Sequence, residues 1–110
     1  MPIVHIVLFK FKPDVAQSAV ESTCQQFLSL KDQCLHPESK KPYLRSLVGG
    51  RDNSPEGLAN GITHAFVSEF ESEEDRQYYL KEDPAHLAFV KSLRAVLDQA
   101  QVVDFLPGLF

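Results

Sequence analysis

Three of the four histidines in this 110-residue sequence stand where an imidazole could do acid–base chemistry. His5 and His64 each lie near the start of a short alternating apolar run, which is the pattern of a β-strand. His86 follows Asp83 and Pro84, a typical helix start, and is in helical register with the apolar residues after it. Free N–H groups and the helix dipole disfavour a cation there. A neutral histidine beside an apolar cavity is what a general base at neutral pH requires.

The spacing of these residues suggests one shared site. If the strands that carry His5 and His64 are parallel neighbours, the two rings lie about 5 Å apart, and at least one must be neutral at pH 7. Tyr78 and Tyr79 precede His86 by one or two turns and could supply a phenolic donor. A zinc or iron site would need a carboxylate that the sequence does not place nearby, so no metal is expected. The alternative for each histidine is a hydrogen-bonded core residue.

The apolar periodicity predicts elements in the order β-α-β-β-α-β, the split pattern of a ferredoxin-like α+β sheet. The predicted strands span 3–11, 43–48, 62–70 and 101–106. A first helix is predicted from Pro13–Asp14 to about residue 34, and later helix starts at Ser72 and Asp83, the last helix running to about residue 98. Right-handed crossovers are expected to place the first and third strands side by side and parallel.

The apolar pattern also predicts a partner for the sheet. Helices that follow this order cover one face only, yet the first strand is apolar on both faces. The third strand likewise has Ala65 and Val67 opposite Phe66 and Phe70. An uncovered second face would be a larger apolar patch than monomers usually carry. We therefore expect a two-fold homodimer with a barrel-like centre, a dimeric α/β barrel.

Length and composition narrow the protein class. The chain is short enough for a single domain over residues 1–110. A net charge of -4 argues against nucleic acid or an anionic membrane as the main partner, and no apolar run approaches the ~20 residues of a membrane span. The start lacks the features of a signal peptide, so we expect a cytoplasmic protein. Cys24 and Cys34 would lie ~15 Å apart on one helix, too far for a disulfide.

Segments spread over essentially the whole chain carry a resemblance to a known family. They are residues 4–11 (VHIVLFKF), 50–57 (GRDNSPEG), 63–67 (THAFV), 70–72 (FES), 83–90 (DPAHLAFV) and 103–105 (VDF). Together they resemble the stress-responsive dimeric α/β-barrel (Dabb) family, and the Pro-Ala-His segment after a tyrosine-bearing helix is the most specific part. The resemblance implies a ferredoxin-like protomer and a homodimer, in agreement with the pattern above.

The resemblance also implies site residues. The family includes a plant polyketide cyclase that needs no cofactor and closes a linear polyketide by an intramolecular aldol step. Its base matches His86, its catalytic tyrosine matches Tyr79, and its other pocket histidines match His5 and His64. We expect the pocket to be completed by the apolar residues Val7, Phe9, Phe66 and Phe89. This chain departs from the cyclase in a longer, more charged connection around residues 35–42 and in one extra residue before Pro84.

Three functions remain open at this point. The first is a cofactor-independent cyclase or lyase for a polyketide or similar β-dicarbonyl compound, in which His86 is the general base and Tyr79 polarises a carbonyl. The second is a non-catalytic, stress-induced dimer whose cavity holds a small apolar ligand or nothing. The third is a cofactor-free monooxygenase of the same dimeric barrel class, which rests on fold analogy alone.

Overall fold

A four-stranded antiparallel sheet with helices on one face forms the computed structural model, which describes residues 2–110. Met1, with which the predicted domain begins, lies outside the described residues. The elements are β1 (Ile3–Phe11), α1 (Gln17–Gln33), β2 (Leu44–Arg51), β3 (His64–Phe70), α2 (Glu73–Lys81), α3 (Pro84–Leu93) and β4 (Leu97–Phe105). The strand order in the sheet is β2-β3-β1-β4. The predicted ferredoxin-like α+β fold is confirmed.

The direction of β3 corrects one prediction. β1 and β3 are antiparallel, not parallel. The reason is that α1 carries the chain across β3, so β1 and β2 run in the same direction and β3, which returns from β2, runs against both. His5 therefore lies opposite Ser68, and His64 lies opposite Phe9. The two positions are four residues apart along β1, about 14 Å at the rise of an antiparallel strand, so the predicted 5 Å pairing of the two histidines is wrong.

Helix starts that depend on capping lie where the sequence predicts them. The side chain of Ser72 caps α2 by accepting the N–H of Asp75. Asp83 caps α3, which begins at Pro84. Boundaries that depend on long-range pairing differ from the prediction: α1 begins at Gln17, β2 continues through both glycines to Arg51, and β4 begins at Leu97.

Backbone hydrogen bonds at residues 12–15 explain why α1 begins later, and β4 earlier, than the sequence predicts. The N–H of Lys12 donates to the carbonyl of Val96 at 2.8 Å, and the N–H of Val15 donates to the carbonyl of Lys12 at 3.2 Å. Residues 12–15 therefore form a turn held against the start of β4 and do not open α1. The residues after Leu93 leave the helix because β4 pairs with β1 from Val4 to Phe11.

The core lies between the sheet and the helices and is rich in aromatic rings. Phe27 of α1 stacks on Phe66 with ring centroids 4.4 Å apart, and Phe9 meets the same ring at 5.4 Å. Gly49 makes room for Phe66, because a Cβ at that position would lie 2.2 Å from a carbon of the ring. The glycine is thus required by close packing.

The opposite face of the sheet carries apolar side chains that none of the described helices covers. The register places Ile6, Leu8, Val48, Val67, Val103 and Phe105 on this face. Val48, Val103 and Phe105 are 62%, 56% and 44% exposed. We call this surface the open face. Exposed apolar patches are typical of association surfaces.

Two further observations concern the thiols and the helices. Cys24 and Cys34 are both free. None of the helices within residues 2–110 has the length and apolarity needed to cross a bilayer.

Candidate functional site

A cavity of about 350 Å³ opens between the helical layer and the β1–β4 edge of the sheet. Its wall is largely apolar, and the polar side chains in it are His5, His86 and Asp104. Five of the residues predicted for the pocket line it: His5, Val7, Phe9, His86 and Phe89. A concave apolar space with a few convergent polar groups is the usual form of a small-molecule site.

His86 lines this cavity, and a hydrogen bond determines which of its ring nitrogens carries the proton. Its Nδ1 lies 2.7 Å from the carbonyl oxygen of Tyr79. A carbonyl can only accept, so Nδ1 carries the proton and Nε2 of the neutral ring has the lone pair. Burial lowers the pKa of His86 and the nearby His5 lowers it further, while the hydrogen bond to Tyr79 and the charge of Asp83 act in the opposite direction. The ring has the protonation state of a general base.

The position of His86 is fixed by a buried carboxylate. Asp83 is 1% exposed and accepts the hydroxyl of Tyr43 at 2.6 Å on one oxygen. Its other oxygen accepts the N–H groups of Ala85 at 3.0 Å and His86 at 3.4 Å. Burial raises the pKa of the neighbouring Cys34 thiol to about 12, and the charge of Asp83 adds to the rise. Cys34 is therefore a packed thiol and not a nucleophile.

Tyr79 lies beneath His86 and not at the cavity wall. The two rings stack with centroids 3.7 Å apart and an angle of 24° between their planes. Tyr79 is fully buried, and burial raises the pKa of its phenol. Its hydroxyl is the one buried side-chain nitrogen or oxygen in the described chain without a hydrogen-bond partner. The expected polarising donor is thus not presented to the cavity, and Tyr79 contacts His86 through its ring and its carbonyl.

Sequence reasoning missed a carboxylate beside His5. The β1–β4 register places Asp104 opposite His5, and Asp104 Oδ1 lies 2.6 Å from His5 Nδ1. The other oxygen of Asp104 accepts from Nη1 of Arg76 at 3.1 Å. The prediction that no carboxylate lies near the histidines is therefore wrong. The available signal was the strand order, because the last strand of a ferredoxin-like sheet lies beside the first and brings its residues next to His5.

His64 and Phe66 do not line the cavity. His64 lies at the far end of β3, with its Nδ1 2.8 Å from the Thr63 hydroxyl, and lines a separate, shallow groove of about 570 Å³ that includes Arg51. Burial and the charge of Arg51 lower the pKa of His64. Phe66 is 1% exposed within the core. Across residues 2–110, no group of three or more His, Cys, Asp or Glu side chains is arranged to hold a metal ion.

Comparison with known proteins assigns the family. Residues 3–107 match the model of the stress responsive A/B barrel domain. The chain belongs to this family, as the sequence segments predicted. It is 31% identical over 106 residues to the stress-response A/B barrel domain-containing protein HS1 of Arabidopsis thaliana, covering 96% of this chain and 90% of HS1. It is 24% identical over 107 residues to olivetolic acid cyclase of Cannabis sativa, covering 97% of this chain and 98% of the cyclase.

A solved structure supports the same architecture. The A/B barrel chain superposes with a TM-score of 0.72 on a dimeric ferredoxin-like protein of unknown function from Thermobifida fusca. The two are 27% identical, and the match covers 96% of this chain and 90% of that one. The fold is thus shared with a protein described as a dimer.

Proposed function

We propose that this A/B barrel protein is a cofactor-independent enzyme of the cyclase or lyase type in which His86 is the general base. Its substrate would be a small, mostly apolar molecule with a carbon acidified by adjacent carbonyl groups, such as a linear polyketide. The observation that carries the proposal is the hydrogen bond from His86 Nδ1 to the Tyr79 carbonyl, which leaves Nε2 unprotonated in an apolar cavity. The relationship to olivetolic acid cyclase supports the reaction class.

The proposed step is an intramolecular aldol closure. His86 Nε2 removes a proton from the acidified carbon, and that carbon forms a bond to a carbonyl carbon elsewhere in the same molecule. The carbonyl oxygen takes up the proton from the His86 imidazolium, so His86 returns to its starting state. Tyr79 acts as a positioning residue, since its carbonyl and its ring hold the imidazole. His5 is held by Asp104 at the same cavity.

The test compares two histidine substitutions on a synthetic linear polyketide. His86→Gln removes the base, and turnover is expected to fall at least 100-fold, the scale of a lost general base. His36→Gln is the matched control, because His36 lies in the 35–42 connection with its side chain about one-third exposed. Product formation would be followed by liquid chromatography with mass detection. Full activity of folded His86→Gln would contradict the proposal.

A second candidate function is ligand binding without turnover. The observation that favours it is the burial of the Tyr79 hydroxyl, which removes one of the two expected reacting groups from the cavity wall. In this case wild-type protein would bind apolar aromatic acids, measured by calorimetry, and would leave every polyketide substrate unchanged. His86→Gln would then alter affinity only.

We also propose that a second copy of the chain covers the open face. Val48, Val103 and Phe105 are the most exposed apolar side chains there. Two such faces in contact would remove this surface from water and form a sheet-on-sheet centre. The dimeric relative from Thermobifida fusca supports this arrangement.

A further inference from the structure

We infer that Arg76 is a positioning residue that fixes which nitrogen of His5 carries the proton, so that His5 presents an acceptor nitrogen to the cavity beside His86. Only the role of His5 toward a substrate in the cavity rests on the proposed function. The chain of contacts begins at Arg76 on α2, passes through the Asp104 carboxylate on β4 and ends at His5 on β1.

Asp104 is held from two sides. Oδ1 lies 2.6 Å from His5 Nδ1, and Oδ2 lies 3.1 Å from Arg76 Nη1. A guanidinium is always charged and favours the ionised carboxylate, which can only accept hydrogen bonds. His5 Nδ1 must then donate, so in the neutral form of the ring the lone pair lies on Nε2. Because each oxygen of Asp104 has its own partner, rotation about its Cβ–Cγ bond would break both contacts.

Arg76 pairs with Asp104 although other acidic residues lie close to it. Arg76 lines a surface groove together with Glu73, Glu74 and Glu82. Glu73, three residues earlier on the same helix, is at the spacing of a favourable helical ion pair. The ion pair of Arg76 is nevertheless with Asp104, 28 residues away, where both side chains are about three-quarters buried. A contact that crosses from helix to sheet and is shielded from water is less screened than the exposed alternatives.

Removal of Arg76 therefore releases one oxygen of a carboxylate that water can reach. Asp104 is 20% exposed at its side chain, so solvent would compete for the freed oxygen and the carboxylate could turn away from His5. His5 is 2% exposed, and its other close ring neighbours are Phe70 and Tyr79, with centroids at 6.0 and 6.1 Å. Neither of these side chains hydrogen-bonds to Nδ1, whose side-chain partner within residues 2–110 is Asp104, so the tautomer depends on Asp104.

The test reads the His5 tautomer directly, by long-range proton–nitrogen NMR on protein labelled with ¹⁵N-histidine at pH 7.5. Wild-type His5 is expected as the Nδ1–H tautomer. In Arg76→Gln the ratio of Nδ1–H to Nε2–H should fall about tenfold, which corresponds to about 1.4 kcal/mol, and Arg76→Lys should restore most of it. Arg45→Gln is the matched control, because Arg45 also makes a 3.1 Å ion pair, with Glu71, but at an exposed site.

An Arg76→Gln spectrum that matches wild type at His5 would overturn the inference. If Arg76→Gln does not fold, Asp104→Asn tests the same link, because its amide group can donate to Nδ1 and should shift His5 to the Nε2–H form; an unchanged His5 signal there also overturns it. These outcomes are independent of turnover. Retained activity in His86→Gln would contradict the proposed function and leave the His5 tautomer as it is.

Discussion

His86 illustrates how one hydrogen bond and burial together set the state of a side chain. Its pKa is lowered below 6.5, the ordinary value, chiefly by burial. If His86 is the base, activity should be lost when the ring becomes protonated. The acid limb of the pH profile of kcat/KM should therefore have its midpoint below 6.5. The profile would be measured from pH 4.5 to 8.5 on the same polyketide. A midpoint above 6.5 would contradict the assignment of His86 as the base.

The same lowered pKa links stability to pH. The unfolded chain binds a proton at His86 near pH 6.5, whereas the folded chain binds it only at lower pH. Between these values the unfolded state holds more protons, so the free energy of unfolding decreases as the pH falls below about 6.5. Urea titrations at several pH values should show this slope in wild type and a smaller slope in His86→Gln.

At the scale of elements, Gly49 shows why β2 can lie against the aromatic core. A Cβ there would meet the Phe66 ring at 2.2 Å and the Ala65 carbonyl oxygen at 2.9 Å, whereas a Cβ at Gly50 would meet nothing within 4 Å. Gly49→Ala should destabilise the protein by about 1–3 kcal/mol through overpacking. Gly50→Ala should change stability by less than about 1 kcal/mol. Equal unfolding midpoints in urea for the two variants would contradict the packing argument.

The junction of α2 and α3 depends on the Tyr43–Asp83 contact. Tyr43 donates to the buried Asp83 carboxylate at 2.6 Å, and Asp83 caps the helix that carries His86. Tyr43→Phe removes this donor and should cost about 1–3 kcal/mol. Tyr78→Phe is the control, since the Tyr78 ring packs on Tyr43 while its hydroxyl is not among the hydrogen-bond partners of Asp83. Thermal melting of both variants would measure the difference.

The elements that local chemistry determines were predictable from the sequence. β1 has the predicted bounds because its apolar alternation is unbroken, and the starts of α2 and α3 follow from Ser72 and Asp83 as caps. The direction of β3 was not predictable from its own residues, because it depends on which strands the crossover joins. For the same reason the sequence pattern predicted His64 as the neighbour of His5, whereas the observed strand pairing places Asp104 beside it.

At the scale of the whole molecule, the open face is the surface on which the proposed dimer would form. Val103 on β4 is 56% exposed and lies on this face. Val103→Glu should convert the proposed dimer to monomer, because two carboxylates would be buried in an apolar interface. Leu28→Glu, on the helical side and 36% exposed, should leave the assembly unchanged. Sedimentation velocity at several concentrations would report the mass, and a monomeric wild type would contradict the dimer.

The unpartnered hydroxyl beneath His86 has a consequence for heat resistance. A buried polar atom without a partner costs about 1–3 kcal/mol, and Tyr79 carries such an atom at the centre of the molecule. Tyr79→Phe keeps the ring that supports His86 and should therefore melt several degrees higher than wild type in a calorimetric scan. A lower melting temperature would mean that the hydroxyl has a partner in solution. The Tyr79 hydroxyl oxygen thus keeps the melting temperature of the protein below the value that its packing would allow.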